Sequence, residues 1–158
     1  MKTLIDLFVG WPERTSRYFA WFAPLFARIT VGWVFVLSGW GKLHNLPLVI
    51  GNFRDSWGIP YPEILAPFVS GVEFVGGLFL LAGFLTRISA GALGVTMIVA
   101  IRAAQWADVD SFDTLLGLDE FLYFALFLWL AIAGPGALSV DYILQRSFGG
   151  ARRQSGLR

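Results

Sequence analysis

One carboxylate sits where a carboxylate is expensive. The stretch Ile64–Thr86, ILAPFVSGVEFVGGLFLLAGFLT, carries a single formal charge, Glu73, near its middle. A hydrocarbon core about 30 Å thick takes roughly 20 apolar residues in a helix, so this stretch reads as a transmembrane span. An ionised side chain at the centre of such a helix costs on the order of 2.5–3.5 kcal/mol on insertion scales, so it calls for a partner or for a proton. The chemistry open to it is proton exchange, or charge compensation beside a cation.

The residues that could serve it lie toward one end of the other apolar stretches. Arg28, Gly32, Phe35, Gly39 and Lys42 recur at steps of 4, 3, 4 and 3, which places them on one helical face. Helical side chains lean toward the N-terminus of their own helix, so Lys42, at the C-terminal end of its span, leans into the membrane. Glu73, on a span running the opposite way, leans toward that same end. At 1.5 Å per residue it lies about 13 Å from the start of its helix. The pair is therefore expected to meet. Arg28 lies about 21 Å from Lys42 by the same rise, and it leans toward the opposite boundary, where it can snorkel. Arg102 ends the third span as Lys42 ends the first, and Asp119 and Glu120 open the fourth, where carboxylates favour the helix dipole. The sequence thus predicts one polar cluster of Lys42, His44, Glu73, Arg102, Asp119 and Glu120. A static ion pair that fixes helix register explains Lys42 and Glu73 equally well. Ordinary interfacial charge explains Arg102, Asp119 and Glu120, and His44 alone reads as a surface residue.

The elements that must position these groups are apolar helices. The expected fold class is an all-α membrane protein, a four-transmembrane-helix bundle with short interfacial helices. Its spans fall at about 24–42, 64–85, 87–105 and 119–134. The bundle occupies 23–136. Before it, residues 1–22 read as an N-terminal interfacial segment, with Leu4, Leu7, Phe8 and Trp11 at helical spacing ahead of Pro12, or equally as a loosely ordered tail. After it, Gly134–Pro135–Gly136 stops the last span, and 137–158 form a cytoplasmic tail with a short helix over Ser139–Arg146. Between the first two spans, Pro47, Gly51, Gly58, Pro60 and Pro62 punctuate a connector with a surface helix near Leu48–Trp57. Gly32 and Gly39 would let a neighbouring helix come close. Ala90, Gly91 and Gly94 offer a small-residue face for internal packing or for a homo-oligomer.

Composition agrees. Hydrophobic residues make up 56% of the 158 and charged residues 15%, against about 25% charged in globular domains. Lys2, Arg14, Arg17, Arg28, Arg87, Arg146, Arg152, Arg153 and Arg158 fall on the side of the termini, and Lys42, Arg54 and Arg102 on the other. That bias puts both termini of a multi-pass membrane protein in the cytoplasm, with the lipid bilayer as its first partner. The absence of cysteine excludes thiol catalysis, disulfides and Fe–S ligation by this chain. One histidine and scattered carboxylates leave no metal site. The DxDxxD run at Asp108–Asp113 lacks the glycine and terminal glutamate of a calcium loop and reads as a solvated acidic face. No basic face supports nucleic-acid binding.

Four segments in order resemble the DoxX family of small bacterial membrane proteins. They are RITVGWVFVLSGWGKL at Arg28–Leu43, GIPYPEILAPFVSGVEFVGGLFLLAGFLTR at Gly58–Arg87, the Asp119–Glu120 start of the last span, and GPGALSVDYIL at Gly134–Leu144. The resemblance covers roughly residues 20–146. It implies a four-helix membrane bundle and a link to quinone-coupled redox chemistry, since relatives include the small subunit type of thiosulfate:quinone oxidoreductase. Other relatives are associated with oxidative-stress complexes or metal-stress operons. The family's charged positions fall on Arg28, Lys42, Glu73, Glu120 and Asp141. On this reading a quinone headgroup would sit among Trp40, Lys42 and Glu73, with no covalently bound cofactor. Glu73 would handle protons, Lys42 or Arg102 would stabilise negative charge on the headgroup, and electrons would come from a redox partner subunit. The alternative is a non-enzymatic membrane scaffold or a small-solute or metal-stress export component.

Overall fold

The computed structural model describes residues 10–155, in helices and turns with no strand among the described residues. A short helix α1, Trp11–Phe19, leads into the long α2, Phe22–His44. Then come α3, Leu46–Gly51, a single π turn at Asn52–Ser56, and α4, Pro62–Ala82. Helix α5, Thr86–Ala100, continues through a π turn at Ile101–Gln105 and a 3-10 turn to Asp108. A one-turn helix α6, Phe112–Leu116, precedes α7, Asp119–Ala133, and α8 covers Val140–Ser155. The expected N-terminal stripe of Leu4, Leu7 and Phe8 lies outside the described residues, as do Lys2 and Arg158.

Three of these helices are long and apolar enough to cross a membrane: Phe22–His44, Pro62–Ala82 and Thr86–Asp108. The fourth expected span, α7, is apolar but has 15 residues. It is therefore about 22 Å long, short of a 30 Å hydrocarbon core.

Packing makes two close pairs. Helix α2 lies most extensively against α4, and α5 against α7; the α4–α5 seam is smaller and the α2–α7 contact smallest. One core runs through all four, from Val31 and Phe35 on α2 and Leu80 on α4 to Ala90, Leu93 and Met97 on α5 and Phe127 and Leu130 on α7. The α2–α4 contact is backbone against backbone, as the sequence leads one to expect of Gly32 and Gly39. A Cβ at Gly39 would stand 2.8 Å from both Phe74 Cα and Ser70 O, and one at Gly77 would stand 2.7 Å from Val36 N. Only glycine admits that approach. On α5 the small residues divide: Gly94 packs on Phe124 and Phe127, while Gly91 faces open space.

The α4–α5 turn is tight. Gly83 takes φ +67°, a left-handed conformation in which its N–H and that of Phe84 close on Leu80 O and Phe79 O. At the far end of α4, the connector from α3 lies over the helix start, where Val49, Phe53 and Ala66 form a second small core joined by Trp57 and Val69.

Candidate functional site

Ser38 and Lys42 stand one turn apart on α2, and Glu73 faces them from α4 across the Gly39 contact. Lys42 Nζ lies 2.6 Å from Glu73 Oε1 and 2.7 Å from Oε2, and Ser38 Oγ donates to Oε2 at 3.0 Å. The Glu73 side chain is 3% exposed and that of Lys42 is 37% exposed. The carboxylate is thus covered, and its ammonium partner reaches the surface. Three donors converge on two oxygens, which offsets the desolvation of a buried anion. Lys42 spends two of its three N–H donors there, and the third has no protein partner among the described residues.

Trp40, 52% exposed, stands beside the pair. Its ring lies 5.5 Å from that of Phe74, the neighbour of Glu73, and 4.1 Å from that of His44. His44 Nδ1 is 2.9 Å from the Trp40 carbonyl, a bond within its own helix. An apolar groove of about 450 Å³ opens along the α4–α5 seam between Phe68, Val75 and Phe79 and Ile88 and Ala92. Neither Glu73 nor Lys42 lines it, so it is not the mouth of this site.

The other polar residues of the predicted cluster have surroundings of their own. Arg102 is exposed and lies over the Trp106 ring at 5.5 Å; Glu120 accepts from Gln105 Nε2 at 3.4 Å; Asp119 is exposed at the start of α7. Among the described residues no hydrogen bond or ion pair joins these three to Lys42 or Glu73. They belong to the α5–α7 pair, with Arg102 and Gln105 on the π turn at Ile101–Gln105 that follows α5. Beyond the spans, Asp110 accepts from Thr114 Oγ1 at 2.6 Å, and this hydroxyl, with a backbone N–H, holds its carboxyl below the usual carboxylate range.

Arg28 is the plain correction. It does not snorkel; it is fully buried. The segment after α7 crosses beneath the start of α2, where Gly136 packs against Pro24, and Arg28 donates to the Leu138 carbonyl. The guanidinium occupies the space a side chain at residue 83 would need, and its Nε and other terminal nitrogen have no protein partner. Asp141 supplies the nearby negative charge while capping α5: its carboxylate accepts from Leu85 N at 2.8 Å and Thr86 N at 2.9 Å. The sequence reading missed Ser38 as a ligand of Glu73. The available signal was its position one turn before Lys42 on α2.

A family model described as DoxX matches residues 23–106, more than half of the chain. The chain belongs to the DoxX family. Within it, this DoxX chain is 33% identical over 126 residues to "Inner membrane protein YqjF" of Escherichia coli K12, covering 78% of this chain and 93% of that one. It is 28% identical over 137 residues to "Inner membrane protein YphA" of the same organism, covering 80% and 97%. It is 26% identical over 119 residues to "Putative oxidoreductase CatD" of Bacillus subtilis 168, covering 74% and 83%. No solved structure matches the chain significantly. The DoxX match spans α2 to the end of α5, and so contains Ser38, Lys42 and Glu73 and excludes α7 and Asp141.

Proposed function

We propose that this DoxX chain is an inner-membrane subunit that supports quinone-linked redox or oxidative-stress chemistry, with electrons delivered by a partner protein. In this reading α7 is a fourth span, both termini are cytoplasmic, and residues 23–136 are the bundle between an interfacial segment and a tail. The observation that carries it is the Lys42–Glu73 pair: a covered carboxylate whose cation is half-exposed and keeps one donor uncommitted. The oxidoreductase name of the Bacillus relative agrees with it.

The residues present fit a quinone headgroup. Lys42 offers a hydrogen-bond donor and a positive charge where a ring carbonyl would approach, and the half-exposed Trp40 offers an aromatic ring beside it. A bound quinone supplies an acceptor for two electrons and two protons. Glu73 holds a proton or gives it up while Ser38 and Lys42 keep its oxygens in place, which is the task of a general acid–base group. Lys42, drawn between Glu73 and the surface, attracts developing negative charge in a medium of low dielectric, where such attraction is strong. Trp40 orients by stacking.

Ubiquinone and menaquinone analogues added to the purified protein in detergent test this, with tryptophan fluorescence as the readout. Saturable quenching is expected, weakened at least tenfold in Glu73→Gln. Absence of binding, or equal binding by Glu73→Gln, overturns the reading. Accumulation of a solute in cells lacking the protein, with normal respiration, would support an export component in its place.

A further inference from the structure

We propose that α8 is an in-plane anchor that docks on a membrane surface bearing anionic phospholipid. The argument starts with how the helix is held. Ser139 caps it, its Oγ accepting from Tyr142 N at 3.1 Å. Asp141 ties its first turn to the α4–α5 turn, donating from its own N–H to Gly83 O at 2.9 Å and accepting from Leu85 N and Thr86 N. Arg28 secures Leu138 just before it. Three elements therefore fix where α8 begins, and they fix it where α4 ends and α5 starts. That is the level at which two apolar spans meet the membrane boundary.

From that point the helix leaves an apolar stripe bare. Val140, Ile143 and Leu144, at i, i+3 and i+4, are 37%, 62% and 38% exposed. Gln145 and Arg146 lie exposed on its other side by helical spacing. The charge is one-sided. After Asp141 the sequence has no acidic residue and four arginines, Arg146, Arg152, Arg153 and Arg158, of which the first three fall within α8. An apolar stripe with Arg146 on the other side and a run of basic sequence after it, starting at the boundary of the bilayer, matches a helix lying in the headgroup layer. Anionic headgroups supply what the arginines lack. Each arginine near such a surface strengthens attachment roughly fivefold, so three together amount to about a hundredfold.

The chain has no cysteine, so one introduced thiol carries one label. Full-length Ile143→Cys and Gln145→Cys proteins, spin-labelled, are reconstituted in vesicles of phosphatidylethanolamine with phosphatidylglycerol, or of phosphatidylcholine alone. Collision with oxygen against a water-soluble nickel chelate reports depth. With phosphatidylglycerol the label at residue 143 is expected to be shielded from the chelate and the label at 145 accessible to it. Combining Arg146→Gln, Arg152→Gln and Arg153→Gln should lower the docked-to-undocked ratio about a hundredfold. High salt should act in the same direction. Three results overturn the proposal. One is a label at 143 exposed to the chelate in phosphatidylglycerol vesicles. Another is equal shielding in phosphatidylcholine and in the triple variant. The third is exposure in vesicles with shielding only in native membranes, which would assign the face to a protein partner.

Discussion

At the scale of single residues, the Lys42–Glu73 pair behaves as one unit whose halves are costly alone. Removing the ammonium leaves a covered carboxylate with one hydroxyl donor, and breaking a buried pair in this way costs about 3 kcal/mol or more. Replacing both partners with apolar residues removes the charge and the need for it, and is often near neutral. Lys42→Met is therefore expected to destabilise the protein strongly, and Lys42→Met/Glu73→Leu to recover most of the loss. Unfolding in mixed micelles, followed by circular dichroism, measures the cycle. Strict additivity of the two single losses would mean that the pair holds nothing together. The meeting of these two residues was legible in the sequence because side-chain lean is fixed by chain direction. Ser38 was passed over: a serine in an apolar helix shows its use only through its spacing, here one turn before Lys42. Arg28 was misread for another reason: its cover arrives from Leu138, 110 residues later, and nothing near Arg28 announces it.

At the scale of elements, the site depends on how closely α2 and α4 approach. Alanine at Gly39 would place a methyl 2.8 Å from backbone atoms of Ser70 and Phe74, and backbone cannot swing aside. The helices must part, and the Lys42–Glu73 contact one turn away lengthens with them. Gly91→Ala meets nothing within 4 Å and gains about 1 kcal/mol of helix propensity. Gly39→Ala is thus expected to lower the melting temperature by several degrees and to weaken quinone-analogue quenching. Gly91→Ala should leave both unchanged or raise the first. Equal behaviour of the two variants would show that close α2–α4 contact is not what builds the site. Periodicity and small-residue spacing made this interface readable. They did not reveal the length of α8, which runs past the expected end at Arg146 to Ser155. Nor did they reveal the π turn that ends α5, because apolar spacing carries no signal for one extra residue in a turn.

At the scale of the whole molecule, the short α7 decides the sidedness of the chain. About 22 Å of helix underfills the bilayer, yet the deficit is cheap, at fractions of a kcal/mol per Å when the bilayer thins or flanking groups reach outward. The ends of α7 suit that. Asp119 and Glu120 face its positive dipole end, and Arg87 donates to the Ala131 and Ile132 carbonyls at 2.7 Å, satisfying acceptors that a helix end would otherwise leave bare near lipid. Its long contact with α5 and its share of the core, through Phe127 and Leu130, leave it no position outside the bundle. The side-by-side order of the helices was beyond the sequence, where any of several arrangements buries the same stripes. Four spans and three spans differ in one measurable respect. With four, residues before α2 and after α7 lie on the same side; with three, they lie on opposite sides. Single cysteines at Ser16, Asp113 and Gln145 in this cysteine-free chain, treated with an impermeant maleimide, distinguish the cases. The arginine distribution sets the direction: Asp113→Cys should label in intact cells stripped of outer membrane, and Ser16→Cys and Gln145→Cys only after permeabilisation. Labelling of Ser16→Cys and Gln145→Cys from opposite sides would remove α7 from the membrane and leave three spans.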